Sequence, residues 1–162
     1  MGKTFVKKII SGGQTGVDRM GLEVGKELGL ETGGTAAPNF YTENGSDYTL
    51  ITFGVKEISI ELQKWANGNK KLFYLPRTEQ NVINSDGTVY FSASEDSAGR
   101  HATENFAKKH NKPFILNPSV KTLRQWLIDN KIETLNVAGN RASHLPKGNK
   151  IKLVLTKALT EE

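Results

Sequence analysis

Ser11-Gly12-Gly13-Gln14-Thr15-Gly16-Val17-Asp18-Arg19 holds the residue types best suited to capturing an anion. The segment follows the apolar run Phe5-Val6-Lys7-Lys8-Ile9-Ile10 and precedes a stretch of helical apolar spacing. A strand that ends in a glycine-rich turn and opens a helix aims several backbone N–H groups at one point. That arrangement binds phosphate without committing a charged side chain. Three glycines also exceed what a single tight turn needs. Thr15 and Asp18 read as helix-capping residues, with Asp18 alternatively orienting Arg19 through a charge-assisted hydrogen bond.

Arginine is the second chemical signal. Seventeen of the 22 basic residues are lysines, scattered over helix faces and loops, so the net charge of +5 reads as a solvated surface. The five arginines are placed differently. Arg19, Arg77, Arg100 and Arg141 each fall in or beside a turn after a predicted strand, and Arg124 sits mid-helix. A planar guanidinium suits bidentate phosphate recognition. His101, His110 and His144 lack metal-ligand spacing and read as surface residues, with His101 of interest beside Arg100. The chain has no cysteine, which excludes disulfides, thiolate metal ligands and cysteine nucleophiles.

The elements that must position these groups alternate along the chain. A first strand is expected over Thr4–Ile10, then a helix carrying Val17, Met20, Val24 and Leu28, with Gly21 and Gly25 allowing close approach to a sheet and Gly29 as its stop. Leu30–Thr35 reads as a short strand broken by Gly33-Gly34, and Ala36–Asp47 as loop. The alternation of Ile58, Ile60 and Leu62, the Asn67-Gly68 turn signal and Lys71–Leu75 suggest a hairpin insertion at about residues 56–75, although Ile58, Leu62 and Trp65 also allow a helix. Next come a helix over Thr78–Ser85 capped by Thr78, a strand over Gly87–Ser92, and a helix with Ala102, Phe106 and Ala107. The strand Phe114–Leu116, a helix through Val120, Leu123, Trp126 and Leu127, and the strand Thr134–Ala138 follow. A last helix carries Ile151, Val154, Leu155, Ala158 and Leu159.

This order predicts an α/β fold: one Rossmann-like domain over residues 1–162, with a mostly parallel sheet and helices on both faces. In such sheets the ligand lies beyond the strand carboxyl ends, where strand order reverses. The Ser-Gly-Gly turn, the Thr35 region, the loop after Ser92 and the Gly139-Asn140-Arg141 turn should converge there. No apolar run is long enough to span a bilayer, and Met1-Gly2-Lys3-Thr4 leads directly into the first strand. The expectation is therefore a cytoplasmic protein with no membrane contact. Nucleic acid is disfavoured as a partner, because no recognition helix or aromatic platform accompanies the basic charge.

Common nucleotide signatures are missing: there is no Gly-x-x-x-x-Gly-Lys-Ser/Thr, and Gly12–Gly16 is not Gly-x-Gly-x-x-Gly. Five ordered motifs instead resemble the molybdenum carrier (molybdenum cofactor carrier-like) family of the LOG-like Rossmannoid group. They are Ile10–Arg19, Leu28–Gly34, Arg77–Val82, Ser85-Asp86-Gly87-Thr88 and Leu135–Arg141; weaker matches are Thr42–Gly45 and Phe53–Glu57. The resemblance implies a cytoplasmic homo-oligomer, dimer or tetramer, holding a phosphorylated pterin or nucleotide-like molecule, with molybdenum cofactor as cargo. Where the family tends to have Ser-Gly-Gly-Thr, this chain has Ser97-Ala98-Gly99-Arg100, which favours a more anionic ligand.

Residues and resemblance together define a candidate ligand-binding set. It comprises Ser11, Gly12, Gly13, Gln14, Thr15 and Arg19, then Gly34, Arg77, Asn81 and Ser92, then Gly99, Arg100, Thr103, Gly139 and Arg141. No catalytic or metal-ligating residue is expected. LOG-type phosphoribohydrolases, which share this fold, use Pro-Gly-Gly-x-Gly-Thr-x-x-Glu. Setting Thr103 on the motif's threonine places Asn105 and Phe106 where acids are needed, with Glu104 displaced by about 100° around a helix. Three readings follow, in falling order: a carrier of molybdenum cofactor, a binder or sponge of a nucleotide or nucleotide-derived signal, and a phosphoribohydrolase.

Overall fold

Alternating side chains along a strand face opposite sides of a sheet, and here the two sides differ in kind. The structure is a computed structural model that describes residues 3–58, 74–94 and 97–160. Its first elements are β1 (Lys8–Ile10), α1 (Val17–Glu27), β2 (Glu31–Ala36), the small hairpin β3 (Tyr41–Thr42) and β4 (Gly45–Ser46), and β5 (Val55–Glu57). There follow α2 (Tyr74–Ile83), β6 (Gly87–Phe91), α3 (Ala98–Lys109), β7 (Phe114–Leu116), α4 (Val120–Asp129), β8 (Thr134–Gly139) and α5 (Ile151–Thr160).

Six strands form one parallel sheet in the order β5-β2-β1-β8-β6-β7. The chain lays down β1, β2 and β5 toward one edge and β6 and β7 toward the other. It then returns to insert β8 between β1 and β6. Strand order therefore reverses at the β1/β8 junction, where an α/β sheet opens a crevice.

One face is apolar. Ile9, Val89, Phe91, Leu135 and Val137 pack with Val17, Val24, Leu123, Leu127, Leu155 and Ala158 of α1, α4 and α5. Gly21 lets α1 settle on this face, since a Cβ there would stand 2.6 Å from Val137. Arg124, mid-helix as expected, is buried and donates from Nη1 to the Ala158 carbonyl at 3.1 Å, tying α4 to α5. The other face, under α2 and α3, carries buried Thr88, Tyr90 and Asn136. The α/β class, the parallel sheet and the helices on both faces are as the residue pattern implies.

Several boundaries differ from expectation. The first strand is only Lys8–Ile10, because the amides of both Lys7 and Lys8 reach the single Glu133 carbonyl before a regular ladder begins. Gly33-Gly34 does not break β2. Gly34 instead permits close strand approach: its φ is 129°, and a Cβ there would lie 2.0 Å from the Ser11 carbonyl oxygen. Thr78 is inside α2 rather than its cap, because the helix already starts at Tyr74. Pro76 is accommodated in the first turn, where its missing N–H has no intrahelical partner to lose. The expected hairpin at 56–75 falls largely on residues 59–73, which lie outside the described residues. At its described ends, Val55–Glu57 is the edge strand and Tyr74-Leu75 are helical. Among the described residues no helix is long and apolar enough to cross a membrane.

Candidate functional site

The glycine turn after β1 does not present an open anion cradle, because Asp18 fills it. The Asp18 carboxylate accepts the Gln14 amide at 3.2 Å and the Gly12 amide as well. Three further N–H groups of the turn are also engaged: Gly13 donates to Ser11 Oγ, Thr15 to Gln14 Oε1 and Val17 to the Asn140 carbonyl. The protein's own side chain thus sits where a phosphate was expected. Burial pushes the Asp18 carboxyl up to about 6, against the pull of the Arg77 guanidinium and the two amides. Arg77 is buried and donates to the Gly12 carbonyl at 3.4 Å, so it too is woven into this turn.

Thr15 is not a helix cap. Its hydroxyl donates to the Glu43 carboxylate and accepts the Ala142 amide at 3.0 Å, while Gly16 takes the N-cap position without a side-chain cap bond. Glu43 also accepts from the Ser143 amide and hydroxyl. Burial opposes its ionisation, but the hydrogen bonds from Ser143 and Thr15 prevail and hold the carboxyl below its ordinary range. Gln14 Oε1 accepts the Glu43 amide at 2.9 Å. Three loops, after β1, within the β3–β4 hairpin and after β8, are thereby knotted together.

Below this knot lies a cavity of about 860 Å³ at the carboxyl ends of β1, β6 and β8, extending down the polar face of the sheet beneath α2 and α3. Eight residues of the expected set line it: Gly12, Gln14, Arg77, Asn81, Gly99, Thr103, Gly139 and Arg141. Ser11, Gly13, Thr15, Arg19, Gly34, Ser92 and Arg100 do not, and each is held elsewhere. Ser11 is buried under the turn, bonded to the Asp18 carbonyl. Gly13, at φ 74°, packs against Leu50, and Gly34 packs against Ser11. Arg19 pairs with Asp47 at 3.0 Å and lies over the Phe53 ring. Ser92 bonds to Asn117 through both backbone groups. Arg100 turns along α3 to pair with Glu104 at 3.2 Å and to meet His101 Nδ1 at 3.0 Å. His101 is likewise off the cavity, whereas His144 lines its mouth.

The polar groups facing the cavity have distinct roles. Ser97, Ala98 and Gly99 bring the N-terminus of α3 to the wall. Ser97 Oγ caps the Arg100 amide at 3.2 Å, and Thr103 Oγ1 is spent on the Gly99 carbonyl at 2.8 Å. Asn81 clamps Thr35, accepting its amide at 2.9 Å and donating to its carbonyl at 3.0 Å. Arg141 and His144 stand exposed at the rim. Glu104 is absent from the lining; Asp18 and Glu43 are the lining carboxylates, both engaged in loop hydrogen bonds. Among the described residues no cluster of three or more His, Asp or Glu side chains could hold a metal ion.

Sequence reasoning missed Asn136, Tyr90, Glu43 and His144 as lining residues. For Asn136 a signal was present: in Leu135-Asn136-Val137 one polar residue interrupts an otherwise apolar central strand.

A parallel sheet with this reversal, and with glycine turns meeting over one cavity, defines a Rossmann-like α/β domain. The model of the circularly permutated YpsA SLOG family matches residues 9–159, and the chain belongs to that family. It is also similar to the crystal structure, at 1.45 Å resolution, of the "Putative molybdenum carrier protein" from Syntrophus aciditrophicus SB. The two share 30% sequence identity over 98% of this chain and 95% of that one, with a TM-score of 0.76. No curated protein matches the chain. These similarities agree with the family resemblance of its ordered motifs.

Proposed function

We propose that this cavity binds a phosphate-bearing small molecule without transforming it, and that molybdenum cofactor is the cargo. The observation that carries the reading is the helix N-terminus at the cavity wall. Ala98 and Gly99 lie in the first turn of a 12-residue helix, where N–H groups and the helix dipole favour an anion. Arg141 at the rim adds positive charge, and His144 beside it offers a hydrogen-bonding ring. The volume suits a ligand of cofactor size. Without cysteine, a molybdenum-bearing cargo would be held through its phosphate and pterin rather than by thiolate. The name of the similar protein supports this choice of cargo.

A nucleotide is the second reading, since its phosphate and base make the same demands on the cavity. The hydrolase reading is weaker: Glu104 pairs with Arg100, and Asp18 and Glu43 are tied into loops instead of being poised over a reacting centre. Native mass spectrometry of freshly purified protein tests the proposal. A retained phosphorus-bearing mass above the 17.9 kDa chain, released on denaturation, is expected. Incubation with AMP followed by chromatography should show no free base; release of base would make the protein an enzyme.

A further inference from the structure

On the central strand β8, Asn136 takes a place where its strand neighbours Leu135 and Val137 are apolar core. It is 2% exposed, and Nδ2 donates to Thr88 Oγ1 on the paired strand at 3.1 Å. Its Oδ1 is buried and has no hydrogen-bond partner among the described residues. A buried acceptor left unmatched is destabilising, whereas an apolar residue of similar size would carry no such penalty. Asn136 also lines the cavity, from the sheet, and shares it with the α3 N-terminus that the preceding proposal assigns to phosphate.

We propose that Asn136 is a specificity-determining residue whose Oδ1 accepts an N–H from the heterocycle of the bound molecule. This rests on the cavity binding a phosphate-bearing ligand, and it sets which end of that ligand goes where. Phosphate oxygens are acceptors and would be repelled by Oδ1, so the phosphate lies toward Ala98, Gly99 and Arg141. An amino or lactam N–H, shared by aminopurines and pterins, points to the floor. The apolar wall at Ala138 and the Tyr90 ring flank the same region and suit a flat ring.

Calorimetric titration separates the parts. The probes are ribose 5-phosphate, purine riboside 5′-monophosphate (which lacks an exocyclic amine), AMP, GMP and a pterin monophosphate. On the unaltered protein at least one donor-bearing probe should bind about tenfold or more tighter than purine riboside 5′-monophosphate, because a site built around an acceptor rejects ligands that leave it unmatched. In Asn136→Leu that advantage should vanish while ribose 5-phosphate binds as before. Equal binding of all the heterocyclic probes to the unaltered protein would overturn the inference, whether or not the variant folds. So would an advantage that survives Asn136→Leu. Ribose 5-phosphate that binds with no preference among the heterocycles leaves the phosphate reading standing and sinks this one; failure of every probe, ribose 5-phosphate included, sinks both.

Discussion

Asp18 changes how the first turn works. Its side chain reaches back to the Gly12 and Gln14 amides, so the helix dipole of α1 is met by an internal carboxylate. The glycine spacing was readable as an N–H nest; its occupant was not, because nothing local distinguishes a capping carboxylate from one that closes the nest. Burial leaves a measurable mark. The folded carboxyl keeps its proton up to about pH 6, whereas an ordinary aspartate loses its own near about pH 4. In that window the native state binds more protons than the unfolded one, so this group's contribution to stability falls as pH rises from about 4 to 6. Asp18→Asn removes the effect. Across that window urea denaturation should show the variant gaining about 3 kcal/mol relative to the unaltered protein. Parallel stability curves for the two proteins would contradict the assignment.

Elements meet at the cavity through side chains that hold backbone. Asn81 ties α2 to the end of β2 by satisfying both the amide and the carbonyl of Thr35. Asn81→Ala should cost about 1–3 kcal/mol in chemical denaturation, since two hydrogen bonds from a buried side chain to a part-buried backbone are lost. A cost under about 0.5 kcal/mol would mean that the clamp is incidental. Glu79, by contrast, joins α2 to α3 through Lys109 and His110 in partly exposed pairs, and its loss should matter little. Helix and strand identity was largely legible from apolar period, as in Val120–Leu127 and Thr134–Ala138. The reading failed where long-range geometry decides. Gly33-Gly34 looks like a break from the sequence alone, yet it serves the close passage of β2 beside Ser11. Arg77 reads as a phosphate ligand carried beside a turn, yet α2 takes it under the first loop, where it is buried against the Gly12 carbonyl.

For the molecule as a whole, alternation of elements foretold a parallel sheet but not its order, since no local pattern says that β8 will enter between β1 and β6. That insertion brings the Gly139-Asn140-Arg141 turn against the first loop. It also lays Asn136 beside Thr88 on the polar face. The expected meeting of loops is present with a change of members: Gly12, Gly99 and Gly139 reach the cavity, while Gly13 turns to Leu50. Arg19 and Arg100 looked like phosphate ligands by residue type, but carboxylates nearer in space, Asp47 and Glu104, take them. The central claim is that the α3 N-terminus receives an anion, and Gly99→Asp addresses it directly. An aspartate in a first helical turn favours the helix while repelling an anionic ligand, so stability and binding should separate. Calorimetric titration of the variant with AMP and a pterin monophosphate should show about a tenfold or greater loss of affinity for whichever binds the unaltered protein, with the unfolding midpoint unchanged or raised. Undiminished binding by Gly99→Asp would place the anion elsewhere and contradict the claim.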